Sequence, residues 1–238
     1  MERYYKQGKL TVKAGNYKLG MDTLIFNLSS AIDCVSKKLG LCKVVKVCYA
    51  IRAEVHHPSC KVYRDKQGEY FNTTPLKVIK KDFDNLLSNS KSKILKNIKF
   101  LRFNESGDFK DKRQINKACS LAKFLFDKFS IVTYFYTCRK DLIFPDNNYF
   151  LVKGSNCNMP NGKTKVFNCK ENVPSSFTIC PTTCHKCMLC KKPNKKDVAF
   201  IVHGPKHFNK ANHFEPYWLK LKVVAYATTN YYKGKMLC

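Results

Sequence analysis

The chain has 238 residues, of which 44% are hydrophobic and 13% are aromatic. That content suffices for a folded core and excludes a disordered tail, whose apolar residues are too few to offset chain entropy. It also excludes a small scaffold stapled by disulfides, since such scaffolds exist because their cores are too small. The length suits one domain, and we expect a single α/β domain over residues 1–238.

The charge of the chain is strongly basic, with 44 basic and 17 acidic residues and a formal net charge of +27. Such a charge predicts salt-sensitive, non-specific binding to nucleic acid. Only six of the 44 basic residues are arginine, whereas proteins that read base sequence use arginine for paired contacts. The excess of lysine is equally typical of an AT-rich genome, and both interpretations stay open.

The cysteines are numerous for a chain without export signals. No stretch approaches the roughly 18 apolar residues of a membrane span, and the charged residues 1–9 lack the apolar run of a signal peptide. We therefore expect a protein that is not secreted and does not contact a membrane. Thirteen cysteines in a reducing compartment indicate metal or cluster ligands more than disulfides.

The first half of the chain contains one clear strand and several helical patterns. A short apolar run at residues 23–28 predicts a strand, which leads into a loop with three cysteines. Residues 49–71 have a helical pattern that we expect to break at Pro58. Residues 76–95 form a lysine-rich amphipathic pattern, which predicts one or two helices.

The second half alternates strands with one long helix. Apolar residues recur at helical spacing over residues 111–129, which predicts an amphipathic helix. Apolar runs predict strands at residues 98–103, 131–137, 149–153 and 198–202. Alternating strands and helices indicate a parallel sheet.

The architecture we expect is therefore a partial or complete (β/α) barrel-like parallel sheet. A cysteine-rich insertion, which binds a metal or cluster, is expected at about residues 155–195. Its early part, residues 159–174, is rich in proline, asparagine and lysine and is expected to be irregular. The apolar ending at residues 218–226 suits either a helix or a strand.

Four cysteines fall within eleven residues near the end of the chain: Cys180, Cys184, Cys187 and Cys190. Zinc usually takes its thiolates from two C-x2-C pairs that are a dozen or more residues apart. A [4Fe–4S] cluster accepts ligands from one tight loop, as in the C-x2-C-x2-C run of bacterial ferredoxins. The spacing favours an iron–sulfur cluster, and zinc or free thiols are the alternatives.

Cys34, Cys42 and Cys48 lie between a predicted strand and a predicted helix. Three thiolates leave one metal position open, which is where a cofactor, substrate or water binds. The alternative is that one or two of them are core residues. The remaining six are expected in the core (Cys60, Cys119 and Cys138), as spare ligands (Cys157 and Cys169) or as a free thiol (Cys238).

Short motifs at ordered positions carry a family resemblance. They are residues 18–28, Cys34, 41–42, 48–50, 102–109, 134–137, 151–154 and the four C-terminal cysteines. Together they resemble the phage gene product 88 family over roughly residues 18–204. The resemblance implies a viral origin, and a protein that stays in the host cytoplasm during infection or is packaged in the virion.

The loop that ends at residues 48–50 also resembles the first βα unit of radical S-adenosylmethionine enzymes, although its cysteine spacing is x7 and x5. The resemblance implies a [4Fe–4S] cluster whose open iron binds S-adenosylmethionine. It also implies cofactor contacts at Ser106, Gly107 and Asp108, where an exposed carboxylate at a strand end receives the methionine amino group. The alternative is a helix start, with Asp108 or Asp111 as the N-cap.

We therefore expect a viral iron–sulfur protein with one or two [4Fe–4S] clusters. Three uses stay open. One is radical-enzyme-like catalysis, which needs S-adenosylmethionine at an open iron. The second is a structural role, in which clusters or zinc ions hold together a basic protein that binds nucleic acid. The third is electron transfer.

Overall fold

The computed structural model describes residues 3–16 and 18–201. Its strands are β1 (Arg3–Gln7), β2 (Leu10–Ala14), β3 (Thr23–Phe26), β4 (Phe100–Phe103), β5 (Val132–Thr137), β6 (Phe150–Ser155), β7 (Lys163–Phe167), β8 (Thr178–Ile179) and β9 (Val198–Ile201). Its helices are α1 (Val35–Lys38), α2 (Tyr49–His56), α3 (Pro58–Thr73), α4 (Leu76–Ser88), α5 (Lys93–Lys96), α6 (Lys112–Phe129) and α7 (Cys184–Cys187). None of the helices in this part of the chain has the length and apolar character of a membrane span.

All these strands belong to one sheet, in the order β1-β2-β3-β4-β5-β6-β7-β9-β8. The pairings among β1, β2 and β3 are antiparallel, and every pairing from β3 onward is parallel. The prediction of an α/β fold with a mainly parallel sheet is confirmed. Within the described residues the outer strands β1 and β8 do not pair with each other, so this sheet is open.

The two faces of the sheet are covered by different parts of the chain. Leu101 and Phe103 point to the face that packs against α3, α4 and α6 in the main hydrophobic core. Phe100 and Tyr134 point to the opposite face, where Met188 packs against them. Right-handed connections between parallel strands in sequence order keep their helices on one face. The opposite face is left to the cysteine-rich segment.

The helix patterns read from the sequence are largely confirmed. The expected break at Pro58 separates α2 from α3, because proline at the first helical position needs no amide partner. The predicted helix over residues 111–129 is α6, and the Asp111 carboxylate caps it by accepting a 2.8 Å hydrogen bond from the Gln114 amide. The amphipathic pattern over residues 76–95 forms α4 and α5.

The predicted strands correspond to β3, β4, β5, β6 and β9. Two regions differ from the predictions. The β1–β2 hairpin, which turns at Gly8 with φ +56°, was not expected. The irregular piece expected at residues 159–174 was wrong in part, because it contains β7 and that strand pairs with both β6 and β9. The apolar segment at residues 218–226 lies outside the described residues.

Candidate metal centres

The four C-terminal cysteines line one cavity on the face of the sheet opposite to α3, α4 and α6. We call Cys180, Cys184, Cys187 and Cys190 the C-terminal thiol group. The cavity has a volume of about 20 Å³, and its wall on the sheet side includes the aromatic rings of Tyr134 and Tyr136. Each of the four cysteines is partly exposed. The structure thus brings together all four residues that the sequence proposed as one ligand set.

Backbone contacts hold the C-terminal thiol group at the sheet. The Cys180 amide donates to the Ala199 carbonyl at 2.8 Å, so this cysteine is tied to β9, the strand next to the edge strand β8. The next two cysteines begin and end the single turn of α7, which stops at Met188 in the left-handed conformation with φ +58°. That turn directs the chain back so that Cys190 also faces the cavity.

Lys191 anchors the end of this segment. Its side chain is 1% exposed, and its ammonium donates to the Leu19 carbonyl at 2.9 Å and to Thr23 Oγ1 at 2.9 Å. It also forms an ion pair with Asp22 at 3.1 Å and lies 4.5 Å from the centre of the Phe100 ring. The segment with the C-terminal thiol group is therefore fixed to the start of β3.

The environment of Cys190 combines burial with nearby donors. Burial raises the pKa of the Cys190 thiol to about 11, and the hydroxyl of Tyr136, which donates to its sulfur, opposes that rise. The buried Lys153 ammonium acts in the same direction, while its own pKa is lowered by burial. At neutral pH this thiol keeps its proton, and a metal has to displace that proton on binding.

The three N-terminal cysteines lie in the segment between the carboxyl end of β3 and the start of α2. We call Cys34, Cys42 and Cys48 the N-terminal thiol group. Cys34 and Cys48 are the residues that precede α1 and α2. The Cys42 thiol interacts electrostatically with the thiols of both. Burial raises the pKa of Cys34 to about 12 and also raises the pKa of Cys48.

The structure adds a fourth cysteine beside the N-terminal thiol group. The neighbouring Cys138 thiol lowers the pKa of Cys42, and the Cys42 thiol together with burial raises the pKa of Cys138. Cys138 is 6% exposed, as expected for a core residue, and its thiol also contacts the Ser155 carbonyl at 3.3 Å. Cys138 lies 96 positions after Cys42 in the chain, so no local sequence pattern indicated that the two cysteines are neighbours in the fold.

Asp108 is close to these cysteines, and its carboxylate accepts four hydrogen bonds from other groups of the chain. Its carboxylate accepts hydrogen bonds from the Ser36 hydroxyl at 2.6 Å, the Thr137 hydroxyl at 2.7 Å and the Cys138 amide at 2.9 Å. It accepts a fourth from the Phe109 amide at 2.9 Å. Burial raises the pKa of Asp108, and these four hydrogen bonds oppose that rise. The expectation of an exposed carboxylate was wrong, because Asp108 is 5% exposed.

Ser106 and Gly107 likewise serve the packing of the strand ends. Ser106 donates its amide to Asn27 Oδ1 and its hydroxyl to the Ser29 carbonyl, both at 2.9 Å. Gly107 has φ +77°, and a Cβ there would lie 2.2 Å from Ser29 Oγ, so only glycine fits. Asp111, not Asp108, caps α6. A cofactor contact at Ser106, Gly107 and Asp108 stays a prediction.

A buried ion pair shapes the loop that carries the N-terminal thiol group. The Glu54 carboxylate on α2 accepts from the Ala31 amide at 2.7 Å and from the Ile32 amide at 3.0 Å. It pairs with Arg64 on α3 at 2.8 Å, and the two side chains are 0% and 6% exposed. The loop before Cys34 is therefore fixed to α2, the helix that follows Cys48. No local pattern in the sequence pointed to Arg64 as the partner of Glu54.

The side chains as they stand form no metal site in the part of the chain that the structure describes. In residues 3–16 and 18–201, no three His, Cys, Asp or Glu side chains are arranged to hold a metal ion. The donor atoms of both groups are thiols, which are the ligands that soft metals prefer.

Comparisons with known proteins give no match, whether to family models, to curated proteins or to solved structures. The resemblances to the phage gene product 88 family and to radical S-adenosylmethionine enzymes therefore stay predictions. The function has to be argued from the two thiol groups and their surroundings.

Proposed function

We propose that the chain is an iron–sulfur protein of viral type whose [4Fe–4S] cluster is held by the C-terminal thiol group. One observation carries this proposal: four cysteines within eleven residues all line one cavity. Tight loops with C-x2-C-x2-C spacing are typical of [4Fe–4S] ligation. When bound, such a cluster supplies one-electron chemistry or holds the fold together.

The surroundings of the cavity suit a cluster with negatively charged ligands. The Tyr136 hydroxyl donates to the Cys190 sulfur, and hydrogen bonds to ligand sulfurs tune a cluster. The ammonium groups of Lys153 and Lys191 are both buried close by. They offset the charge that four thiolates would bring into a partly dry site.

The arrangement of the strands also fits a cluster site on one face of the sheet. We propose that the parallel strands form a partial barrel and that the cysteine-rich end of residues 155–195, which follows β8, covers its inner face. The support is that β3, β4, β5, β6 and β7 are neighbours in sequence order and that α3, α4 and α6 pack on the same face of the described sheet. Ligand sites of barrels lie at the carboxyl ends of their strands.

Among the three uses of a cluster, electron transfer or structural support suits the C-terminal thiol group best. Four cysteine ligands leave no open iron for S-adenosylmethionine at this site. The four cysteines are partly exposed, so the cluster would lie near the surface, where electrons exchange readily. Radical-enzyme-like catalysis would need the N-terminal thiol group instead.

A second candidate function is favoured by the net charge of +27. We propose that the basic surface binds nucleic acid without sequence preference, in the host cytoplasm or in the virion. Fluorescence anisotropy with a labelled duplex is expected to show at least tenfold weaker binding at 200 mM than at 50 mM salt. An affinity that does not change with salt would contradict this role.

The cluster assignment is tested by replacing two of its ligands. In Cys184→Ser/Cys187→Ser, purified without oxygen, we expect a loss of about four iron and about four sulfide per chain. The matched control is Cys169→Ser, which removes a partly exposed thiol outside both groups. Unchanged iron and sulfide in the double variant, or zinc in place of iron in the unmodified chain, would overturn the assignment.

A further inference from the structure

We propose that Cys138 is the fourth ligand of a second metal site formed with Cys34, Cys42 and Cys48. The site takes a soft metal centre, either a zinc ion or an iron–sulfur cluster, and all its metal positions are filled by thiolates of this chain. This inference does not depend on the C-terminal site of the proposed function.

The topology places the four cysteines at one edge of the sheet. The N-terminal thiol group follows β3, and Cys138 follows β5 directly. β4 lies between these two strands, and all three are parallel, so their carboxyl ends point the same way. The chain segments that follow β3 and β5 therefore meet above the end of β4.

The Cys42 thiol influences the pKa values of the other three thiols, those of Cys34, Cys48 and Cys138, which agrees with the proximity that the topology gives these segments. The four cysteines come from three separate stretches of the chain: the start of α1, the loop before α2 and the end of β5. A tetrahedral metal needs four donors that approach from different directions, which these stretches provide.

Asp108 is the positioning residue of this site. One of its carboxylate oxygens, Oδ2, accepts both the Ser36 hydroxyl at 2.6 Å and the Cys138 amide at 2.9 Å. The Ser36 carbonyl in turn accepts the Cys42 amide at 3.2 Å. The loop with Cys42 and the strand end with Cys138 are therefore fixed to each other through a single buried carboxylate.

The number of thiolate ligands determines which chemistry this second site can perform. A centre with four thiolate ligands leaves no coordination position for S-adenosylmethionine or water, as in closed structural zinc sites. The second site therefore stabilises the edge of the sheet or carries electrons, and radical-enzyme-like catalysis at an open iron does not occur there.

The test compares metal content among single variants of the full chain. Iron, sulfide and zinc are measured in Cys42→Ser, Cys138→Ser and Cys157→Ser. Cys157 is the matched control, because it is also close to Asp108 but its thiol contacts the Thr137 carbonyl at 3.4 Å. We expect the first two variants to lose the same amount of metal and the control to lose none.

The outcomes separate this inference from the proposed function. If Cys42→Ser loses metal and Cys138→Ser does not, Cys138 is not a ligand and the inference is overturned. If neither loses metal, the second site does not exist. If both lose metal while Cys184→Ser/Cys187→Ser loses none, the second site stands and the C-terminal cluster fails.

A second measurement covers the case in which Cys138→Ser does not fold. Cobalt(II) is bound to Cys184→Ser/Cys187→Ser, where the C-terminal thiol group keeps only Cys180 and Cys190, and the visible spectrum is recorded. We expect the spectrum of a tetrahedral centre with four thiolates. The spectrum of three thiolates with one oxygen or nitrogen would overturn the inference.

If the site holds iron, S-adenosylmethionine should leave the electron paramagnetic resonance spectrum of the reduced protein unchanged, and a changed spectrum would likewise overturn the inference.

Discussion

Replacing Arg64 by methionine is expected to lower the free energy of unfolding by about 3–5 kcal/mol. The reason is that Glu54, whose side chain is 0% exposed, would be left in the interior without its cation. The same guanidinium donates to the Ala50 carbonyl at 3.1 Å, which would also lose its partner. The measurement is urea denaturation of the full chain followed by circular dichroism.

The matched control for this prediction is Lys66→Met, two positions along the same helix, where the side chain is exposed. We expect that control to change stability by less than about 0.5 kcal/mol. The double variant Arg64→Met/Glu54→Gln should recover part of the loss, because the uncompensated charge is gone. A loss below about 1 kcal/mol in Arg64→Met would contradict the account of a buried ion pair that holds the loop before Cys34.

Replacing Lys191 by methionine is expected to release the segment with the C-terminal thiol group from the sheet. The change removes the hydrogen bonds to Leu19 and Thr23 and the ion pair with Asp22. Breaking a buried pair costs about 3 kcal/mol, which corresponds to roughly 100-fold faster local opening. Hydrogen exchange of the amides in residues 180–191 measures the opening.

Lys192→Met is the control, since the neighbouring lysine is exposed and the same charge is removed. The control should exchange at the rate of the unmodified chain and keep its metal, whereas Lys191→Met should lose metal from the C-terminal thiol group. Equal exchange rates in the two variants would show that the segment is held by other contacts.

Local patterns in the sequence were sufficient for most of the sheet and for the long helix. Buried parallel strands are short apolar runs, and β3, β4 and β5 stand out for that reason. Helical spacing of apolar residues identified α6, and the tendency of proline to interrupt a helix or to begin one indicated the boundary at Pro58. These features depend on neighbours in the chain, which a single sequence displays.

The unpredicted strands have weaker local signals. β1 contains Lys and Arg among its tyrosines and packs at the edge of the sheet, where one side faces solvent. β7 lies in a stretch rich in polar residues, and it is a strand because β6 and β9 pair with it on both sides. Tertiary pairing of this kind overrides the local preference.

The candidate sites likewise include features that are local in the sequence and features that depend on distant segments of the chain. The C-terminal thiol group was visible in the sequence because its four cysteines are close along the chain. The proximity of Cys42 and Cys138 was not visible, because the two residues are 96 positions apart and only the order of the parallel strands brings their segments together. The burial of Asp108 had no local signal either, since its partners Ser36 and Thr137 come from distant segments.

The most direct measurement of the central claim is the iron, sulfide and zinc content of the unmodified full chain, purified without oxygen, together with its visible spectrum. The cluster proposal predicts a brown protein with about four iron and about four sulfide per cluster, and at least one cluster per chain. A colourless protein that carries about one or two zinc ions and no sulfide would contradict it.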